Sequence, residues 1–393
     1  FMSGPVAILS ASRTPMGGML GALSTVAATD LAATAIRSVV AKAGLSDDAI
    51  DELLMGCVLT AGVGQAPARQ AALAANLSQA TSCSTIQKVC GSGMKAVMLG
   101  CNSLRAGQTQ TAIAGGMESM SRAPYLLPQA RQGYRFGEAP MLDHMEYDGL
   151  RDAYQATAMG SFAENCADRY GFTRQQQDEY AIESLRRANF AIAEGSFSDE
   201  IAPVRFASRA GEVCVDTDEQ PGRARIEKIP HLKPAFRRGG TVTAANSSSI
   251  SDGAAAVTLM MADRAEALGL QPLALIRGYD DAAHEPAWFA TAPVAAIKKT
   301  LDRVGWSVDD VDLWEINEAF AVVTMAAMHD LHIDPARMNI HGGACALGHP
   351  IGASGARILV TLVHALRQKN LKRGIASLCI GGGEATALAI EIP

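Results

Sequence analysis

Apolar and polar residues follow the same order in two distant stretches of the chain, residues 30–56 and residues 293–317. In each stretch apolar residues recur three and four positions apart, which predicts an amphipathic helix. Both patterns end at a glycine, a common signal for a helix C-terminus. A serine and paired acidic residues then begin a turn, and an apolar strand follows. The shared order indicates that one unit occurs twice in the chain.

A second correspondence lies downstream in each stretch. Residues 91–93, Gly-Ser-Gly, open a predicted helix that runs to about Arg105 and is followed by the strand TAIAGGME. Residues 353–355, Ala-Ser-Gly, open a predicted helix that runs to about Gln368 and is followed by the strand IASLCIGGGE. Strands that alternate with helices predict an α/β protein with largely parallel sheets covered by helices. We therefore expect two pseudo-symmetric halves.

The composition changes between residues 121 and 249, where Arg, Gln, Tyr, Pro and Met are frequent. This region contains a predicted helix pair, 157–170 and 173–193, and an irregular strand region around residues 200–236. We interpret it as an insertion that projects from the first half, and long insertions on a rigid scaffold often carry substrate recognition. The predicted division is residues 1–120 with 250–270 as the N-terminal half, 121–249 as the loop domain and 271–393 as the C-terminal half.

Composition and charge exclude several classes of protein. The 393 residues are 48% hydrophobic and 19% charged, which is ordinary for a globular protein and argues against a disordered or fibrous one. The net charge of -6 comes without clustered Lys and Arg, so we expect no nucleic-acid partner. The N-terminal stretch has no basic segment followed by a long apolar one, so neither a signal peptide nor a membrane span is predicted. We expect a cytoplasmic protein.

Two of the eight cysteines lie among glycines, Cys90 in VCGSG and Cys379 in CIGGGE. The chain has no CxxC pair, so a disulfide framework and a zinc site are both unexpected. Cys90 precedes a predicted helix, where the positive end of the helix dipole favours thiolate over thiol, and a thiolate there could attack an acyl group. Its alternative role is that of a small buried hydrophobic residue. That role is predicted for the other six cysteines: Cys57, Cys83, Cys101, Cys166, Cys214 and Cys345.

Three further positions are candidates for chemistry. His349 lies in the glycine-dense stretch GGACALGHPIGASGAR. Its side chain is either a reagent or a hydrogen-bonding group that stiffens a turn. Asn317, in NEAF, follows an apolar strand and is either a site residue or the N-cap of the next helix. Gly381 belongs to a glycine cluster whose N–H groups could face a ligand, or which packs tightly. Because no GxGxxG lies between a strand and a helix, a dinucleotide site is not predicted.

Six motifs together carry a resemblance to a known family. They are VCGSGMKA, GGMESMS, TVTAANSSSISDGAAA, NEAFA, GHPIGASGAR and CIGGG, in this order from residue 89 to residue 383. The chain resembles the thiolases, which are acyl-CoA C-acyltransferases. The resemblance implies a five-layered αβαβα fold of two similar halves plus a loop domain. It also implies acyl-CoA and coenzyme A as substrates, no cofactor or metal, and a homo-oligomer, either a dimer or a tetramer.

The resemblance also implies a role for each candidate residue. Cys90 would take the acyl group as a thioester, and His349 would accept the Cys90 proton. Cys379 would be the acid/base that moves a proton at the acetyl methyl group. One oxyanion hole would combine His349 with a water molecule held by Asn317, and the other would use the backbone N–H groups of Cys90 and Gly381. The implied reaction is ping-pong, either condensation of two acetyl-CoA or thiolysis of a 3-ketoacyl-CoA.

Residues outside this centre are implied to bind the substrate. Ser248 matches the serine near the pantetheine arm of coenzyme A, and Met159 matches a residue of the acyl pocket. Arg223 and Arg225 are the candidates for contact with the nucleotide. In front of Met159 the chain has Ala158 where short-chain enzymes often have His, which makes the acyl chain length an open question.

Two other residues depart from the family pattern. His341 stands where many thiolases have Asn, and Glu384 stands where Met or Gln is more frequent. Two alternative functions also remain. A ketoacyl synthase would need a His pair, or His and Asn, in place of the Cys379 motif. A non-catalytic acyl-CoA or lipid-binding protein would not need the complete set of reactive side chains.

Overall fold

The computed structural model describes residues 4–209 and 211–393, so the first three residues of the N-terminal stretch lie outside the described residues. The strands are β1 (Val6–Arg13), β2 (Gly17–Gly18), β3 (Glu52–Gly56), β4 (Ser82–Ile86), β5 (Thr111–Ser119), β6 (Tyr125–Leu126), β7 (Leu142–Asp143), β8 (Val204–Ser208), β9 (Gly211–Val215), β10 (Ser251–Met261), β11 (Ala274–Ala283), β12 (Leu313–Ile316), β13 (Arg373–Ile380) and β14 (Glu384–Glu391). The helices are α1 (Ala28–Ala43), α2 (Pro67–Ala74), α3 (Ser92–Arg105), α4 (Met159–Tyr170), α5 (Arg174–Ala193), α6 (Glu219–Arg223), α7 (Ala262–Ala267), α8 (Ala292–Val304), α9 (Ala321–Leu331), α10 (Ala344–Leu347) and α11 (Ser354–Gln368). Short 3₁₀ turns occupy Asp47–Ala49, Met120–Arg122, Ile226–His231, Pro286–Thr291, Val308–Asp310 and Pro335–Arg337, and a π-helical turn occupies Met145–Leu150.

The local signals in the sequence predicted the helix ends well. Helices α3 and α11 run over the predicted residues, and α1 and α8 end at Gly44 and Gly305, both in the left-handed conformation. The helix pair of the loop domain is confirmed as α4 and α5. Helix α5 begins with a capping box in which Thr173 and Gln176 each accept a hydrogen bond from the other's backbone N–H. The division into two halves and a loop domain stays a prediction.

The main sheet is mixed, so the prediction of largely parallel sheets is wrong. Its strands lie in the order β12-β13-β14-β11-β1-β10-β5-β3-β4, with β2 paired to β10. Parallel pairing joins β3 to β4 and β5, and β12 to β13, whereas β1, β10, β11 and β14 pair antiparallel. The cause is partly local: β13 and β14 are joined by the three glycines 381–383, and a parallel crossover needs about a dozen residues or more.

Five layers build the molecule, which confirms the predicted thiolase-like αβαβα fold. Helices α3 and α11 pack against each other in the centre, α3 against β3 and β5, and α11 against β12 and β13. Helix α1 covers the outer side of β1 and β10, and α8 covers β11 and β14. The two central helices are both largely buried, and their N-terminal ends meet.

Glycines allow this meeting of the central helices. A Cβ on Gly93 would lie 2.9 Å from the backbone nitrogen of Ala356, and a Cβ on Gly355 would lie 2.5 Å from that of Met94. Real Cβ atoms do not approach backbone this closely, so only glycine fits at these two positions. The close contact brings the turn before α3, with Cys90, next to the turn before α11, with His349.

A buried ion network fastens the region after α5 to strand β1. Arg13 is fully buried, and its guanidinium donates to Glu200 at 2.5 Å and in bidentate fashion to Asp218 at 2.7 and 2.9 Å. The carboxylates come from opposite ends of the segment that contains the β8–β9 hairpin. Removing the guanidinium would leave both buried carboxylates without the cation that they bind directly, which is costly in a medium of low dielectric constant. In the part of the chain that the structure describes, no helix is long and apolar enough to cross a membrane.

We predict that Arg13→Ala lowers the free energy of unfolding by about 3–5 kcal/mol, because it leaves two buried carboxylates without the cation that pairs with them. Urea unfolding followed by circular dichroism would measure the change. Arg303→Ala is the matched control, since Arg303 pairs with Asp280 at 2.6 Å with a side chain that is 58% exposed. The control should cost no more than about 1 kcal/mol. Equal effects of the two substitutions would contradict the prediction.

Candidate active site

The turn that carries Cys90 is held by its own backbone. Val89 has a φ of 45°, an unusual left-handed conformation for a β-branched residue, and the N–H of Gly91 donates to the carbonyl of Lys88 at 3.0 Å. The side chain of Ser92 accepts from the N–H of Lys88 at 2.8 Å and donates to the carbonyl of Val89 at 2.6 Å. The partly buried Cys90 thiol is thereby presented at the start of α3.

Burial decides the acidity of Cys90. It raises the pKa of the Cys90 thiol to about 11, although the backbone N–H groups of Gly381 and of Cys90 itself act in the opposite direction, and the charge of Glu118 raises it further. The prediction that the helix N-terminus favours the thiolate is therefore wrong for the resting thiol. Desolvation of the charged form outweighs the two backbone hydrogen bonds here. The contact with the Gly381 N–H brings the C-terminal glycine turn within hydrogen-bond reach of Cys90.

His349 is held by the turn before α11. Its Nδ1 lies 2.5 Å from the hydroxyl of Ser354, and that hydroxyl lies 2.9 Å from the carbonyl of Pro350. The carbonyl can only accept, so we assign the one hydroxyl proton to it and the imidazole proton to Nδ1. Burial, and then the charge of Arg357, lower the pKa of His349 to about 3. The imidazole is thus neutral, with Nε2 unprotonated and without a partner among the described residues.

Asn317 lies beside this imidazole. It is fully buried, its amide nitrogen is 3.5 Å from Nδ1 of His349, and its Oδ1 has no partner among the described residues. Its backbone N–H donates to the carbonyl of Ser377 at 3.0 Å, which ties it to β13. The alternative that Asn317 is a helix N-cap is wrong, because α9 begins at Ala321 with Phe320 as its N-cap.

Glu318 fixes the end of strand β12, on which Asn317 depends. Its buried carboxylate accepts from the Tyr180 hydroxyl, the Ser184 hydroxyl and the Asn339 amide, each at 2.8 Å, and from the N–H of Cys345 at 3.0 Å. Four donors satisfy most of the hydrogen-bonding capacity of a carboxylate. Glu318 is therefore a structural partner of Asn317.

Cys379 lies near the end of β13, on the side of the molecule that carries Cys90. It is fully buried on β13, and burial raises the pKa of its thiol well above the usual range, with a further rise from a charge on Cys90. The residues next to the two cysteines are in contact, since a Cβ on Gly91 would lie 2.4 Å from the Cδ1 atom of Ile380. The Gly381 N–H lies at Cys90, and an ion pair between Lys88 and Glu384 joins the turn before Cys90 to the turn after Cys379. Glu384, which stands where Met or Gln is more frequent in the family, therefore forms an ion pair with a residue on the other side of the site.

The candidate substrate-binding residues divide into two groups. The Met159 side chain lies 3.8 Å from the place of a Cβ on Gly381, and the N–H of Ser248 donates to the carbonyl of Ala319, just after Asn317, at 2.9 Å. Both are thus close to the proposed centre. Arg223 pairs with Glu219 at 2.6 Å with a side chain that is 64% exposed, and Arg225 is exposed as well. The structure does not bring these two arginines to the reactive side chains.

Some features differ from what the sequence suggested. His341 is buried edge-on against Phe197, at 5.8 Å between ring centroids, and its Nδ1 has no hydrogen-bond partner among the described residues. All eight cysteines are free, and Cys214 is exposed on β9, which contradicts the prediction that it is buried. Within residues 4–209 and 211–393, no three His, Cys, Asp or Glu side chains are arranged to hold a metal ion.

Two important residues were missed as site residues, Ser354 and Glu118. Ser354 was noted only as a helix opener, and Glu118 only as part of the motif GGMESMS. A signal for Glu118 is present in the sequence, because an acid near the end of an otherwise apolar strand must find donors if it is buried. No comparable signal marks Ser354, since a serine at the start of a helix is common.

Comparisons with known proteins agree with this geometry. Residues 6–263 match the family model for the thiolase N-terminal domain, and residues 270–392 match that for the thiolase C-terminal domain. A probable acetyl-CoA acetyltransferase of Dictyostelium discoideum is 50% identical over 98% of this chain and 94% of its own length. An acetyl-CoA acetyltransferase of Pseudomonas aeruginosa is 49% identical over 98% of each chain.

Solved structures are similar over the whole length. The Acat5 thiolase of Ascaris suum in complex with coenzyme A has a TM-score of 0.94 and 42% identity, over 99% of this chain and 100% of that one. The acetyl-CoA acetyltransferase of Bacillus anthracis has a TM-score of 0.97 and 41% identity, over 99% of each chain.

We predict opposite tolerance at two glycines of the turn after Cys379. A Cβ on Gly383, whose φ is 85°, would lie 2.5 Å from the carbonyl oxygen of His284, whereas a Cβ on Gly381 meets nothing closer than 3.6 Å. Gly383→Ala should destabilise the fold by at least about 1–3 kcal/mol and, by shifting the turn, lower the catalytic rate about a hundredfold. Gly381→Ala keeps its N–H and should leave the thermal unfolding midpoint unchanged. Thermal unfolding and a thiolysis assay check both, and an equally stable, equally active Gly383→Ala protein would contradict the argument.

Proposed function

The chain belongs to the thiolase family, and we propose that Cys90, His349, Cys379 and Asn317 carry out its reaction. It is an acyl-CoA acyltransferase that condenses two acetyl-CoA units into acetoacetyl-CoA and free CoA, or cleaves a 3-ketoacyl-CoA with CoA. The observation that carries the residue roles is the contact between Gly91, next to Cys90, and Ile380, next to Cys379, together with an imidazole whose Nε2 is unpartnered. The reaction has one step that forms an acyl-enzyme and one that removes a proton from carbon. Two thiols with separate tasks suit these two steps.

The first proposed step forms an acyl-enzyme. The Cys90 sulfur attacks the thioester carbonyl while its proton moves to Nε2 of His349. CoA leaves as the thiol with a proton that Cys379 donates to its sulfur, so Cys379 becomes the thiolate and His349 stays protonated. With a pKa of about 11, only about one Cys90 in ten thousand would be ionised at pH 7. A neutral imidazole can therefore contribute most by taking the proton during the attack, as a general base.

The second proposed step forms the carbon–carbon bond. Cys379, as the thiolate, removes a proton from the methyl group of the second acetyl-CoA, and the resulting carbanion attacks the acetyl group on Cys90. The new bond forms as the bond to the Cys90 sulfur breaks, and that sulfur takes back the proton held by His349. In thiolysis the same steps run backwards, and Cys379 returns a proton to the departing acetyl unit.

Negative charge develops on two oxygens during these steps. The N–H groups of Cys90 and Gly381 both act on the Cys90 sulfur, so an acyl group bound there would have its oxygen near the same donors. The enolate oxygen of the second substrate is assigned to His349 and Asn317. For that task Nε2 must carry the proton, which is the state that His349 reaches after accepting one. Preorganised donors of this kind are commonly a large term in catalysis.

Coenzyme A binding is proposed for the loop domain. The Ascaris suum relative was solved in complex with coenzyme A, which supports CoA as a ligand of this chain. Met159 at Gly381 would border the acyl group, and Ser248 would lie along the pantetheine arm. Arg223 and Arg225, both on the surface, would meet the nucleotide. We propose acetyl and acetoacetyl groups as the acyl substrates, without a further cofactor, in a cytoplasmic dimer or tetramer.

The two thiols should separate in a labelling experiment. With acetyl-CoA labelled in the acetyl group and no second substrate, Cys379→Ala should keep label on the protein, whereas Cys90→Ala should not. Both variants should lose thiolysis of acetoacetyl-CoA. Cys214→Ala, which changes an exposed thiol on β9, serves as control and should behave as wild type. Unimpaired cleavage by either variant would remove that residue's role, and acyl-CoA binding without turnover by the wild type would favour the non-catalytic alternative.

We predict that Asn317→Ala lowers kcat for thiolysis about a hundred- to a thousandfold, the usual cost of losing one oxyanion donor. Label should still accumulate on Cys90, because acyl transfer uses the other hole. Steady-state kinetics and the labelling assay measure these two effects. Loss of labelling together with loss of turnover would instead place Asn317 in the first step.

A further inference from the structure

Glu118 is a buried carboxylate to which the proposed reaction assigns no task. It lies near the end of β5 and is 1% exposed. Its oxygens accept from the backbone N–H groups of Val58 and Leu59, each at 3.0 Å, and from that of Gly352 at 2.9 Å. The Cys57 thiol donates to it at 3.6 Å. Among the described residues it has no Lys or Arg partner, so three peptide groups and a thiol hold the charge.

The three N–H donors come from two separate parts of the molecule. Val58 and Leu59 follow β3, which lies beside β5 in the sheet, whereas Gly352 belongs to the turn that carries His349 three residues earlier. The turn packs tightly against this carboxylate and against β5. A Cβ on Gly352 would lie 2.5 Å from the Glu118 carboxylate, and a Cβ on Gly116 would lie 2.0 Å from the Gly352 carbonyl oxygen. One carboxylate therefore joins the imidazole turn to the strands beside Cys90.

The charge of Glu118 also reaches the nucleophile. Burial raises the pKa of Glu118 to about 7, while the three N–H groups and Cys57 act in the opposite direction. The ionised carboxylate in turn raises the pKa of Cys90 and of Cys57. The titratable groups that face it are Cys57 after β3 and Cys90 before α3, and the Gly352 turn contributes only its peptide groups. Near pH 8 the carboxylate is mostly ionised, and its charge opposes formation of the Cys90 thiolate.

We propose that Glu118 is a positioning residue that holds the His349 turn at its working distance from Cys90 and places a negative charge near that thiol. The proposal rests on the roles proposed above for Cys90 and His349. It predicts a combination that loss of structure alone does not give: a variant without the charge should have a more reactive resting thiol and a slower turnover. A thiol kept protonated in the resting enzyme is protected from wasteful alkylation or oxidation, which require the thiolate.

The test uses Glu118→Gln and Glu118→Asp in the full-length protein. Glu118→Gln keeps the shape of the side chain and removes its charge. It also places an amide group where the carboxylate accepted hydrogen bonds from backbone N–H groups. We expect kcat for acetoacetyl-CoA thiolysis to fall about tenfold or more, with a smaller change in KM for CoA, because the reacting groups are misplaced. Iodoacetamide should alkylate Cys90 about threefold faster at pH 8, as expected when a nearby like charge is removed. Peptide mass spectrometry would follow Cys90 separately from the other cysteines.

Glu118→Asp separates position from charge. It keeps the carboxylate but shortens its reach, so kcat should fall while the alkylation rate of Cys90 at pH 8 stays at the wild-type value. This variant also keeps the proposal testable if Glu118→Gln does not fold. Full kcat in Glu118→Asp would overturn the positioning role, and an unchanged alkylation rate in folded Glu118→Gln would overturn the role of the charge.

Glu164→Gln is the matched control. Glu164 is also 1% exposed, and its carboxylate accepts from the N–H groups of Thr241 and Val242 at 2.9 Å, but it lies in the loop domain on α4. The control should change neither the alkylation rate of Cys90 nor kcat by more than about twofold, as for a site without shared partners. The same faster alkylation in Glu164→Gln would overturn the proposal. Wild-type protein that takes no acetyl label on Cys90 would contradict the proposed function, not the positioning role.

Discussion

The close contact of two glycine-bearing helix ends is the constraint on which the rest of this molecule depends. Helices α3 and α11 can cross at their N-terminal ends only because Gly93 and Gly355 leave room for the partner's backbone. Each helix begins directly after one reactive turn, so the crossing brings Cys90 and His349 into one site. Any side chain at the contact would separate the helices and, with them, the thiol and the imidazole. A steric requirement in the core is therefore also a requirement of the chemistry.

Burial sets the electrostatic character of the site. It raises the pKa of both proposed catalytic thiols and lowers that of His349, so the resting groups are uncharged. This makes the first ionisation harder, but the same low dielectric strengthens each hydrogen bond to an oxyanion formed later. Charge is then best created by transfer between neighbouring groups and not by prior ionisation. The unpartnered Nε2 of His349 is suited to such a transfer.

The sequence predicted the features that depend on short-range signals. Helix ends at α3 and α11 and the glycine C-caps of α1 and α8 follow from residues within a few positions of each other. The strand directions did not, because β1, β10 and β11 pair with strands that are distant in the chain. The acidity of Cys90 was also predicted with the wrong sign, since the helix dipole is visible in the sequence and the depth of burial is not. The contacts of Glu118 likewise depend on the fold.

The duplicated unit explains how one scaffold can hold such different groups. Strand β5 follows α3 and runs parallel to β3, just as β13 follows α11 and runs parallel to β12. At the helix starts the two copies present a thiol and an imidazole, the groups to which we assign the first proton transfer. At the end of its strand β5, one copy presents Glu118, which accepts hydrogen bonds from backbone N–H groups of both copies. At the end of its strand β13, the other copy presents Cys379 and its glycine turn. Because corresponding ends of the two copies meet in one place, each copy could specialise separately while the geometry between them was maintained by the shared core.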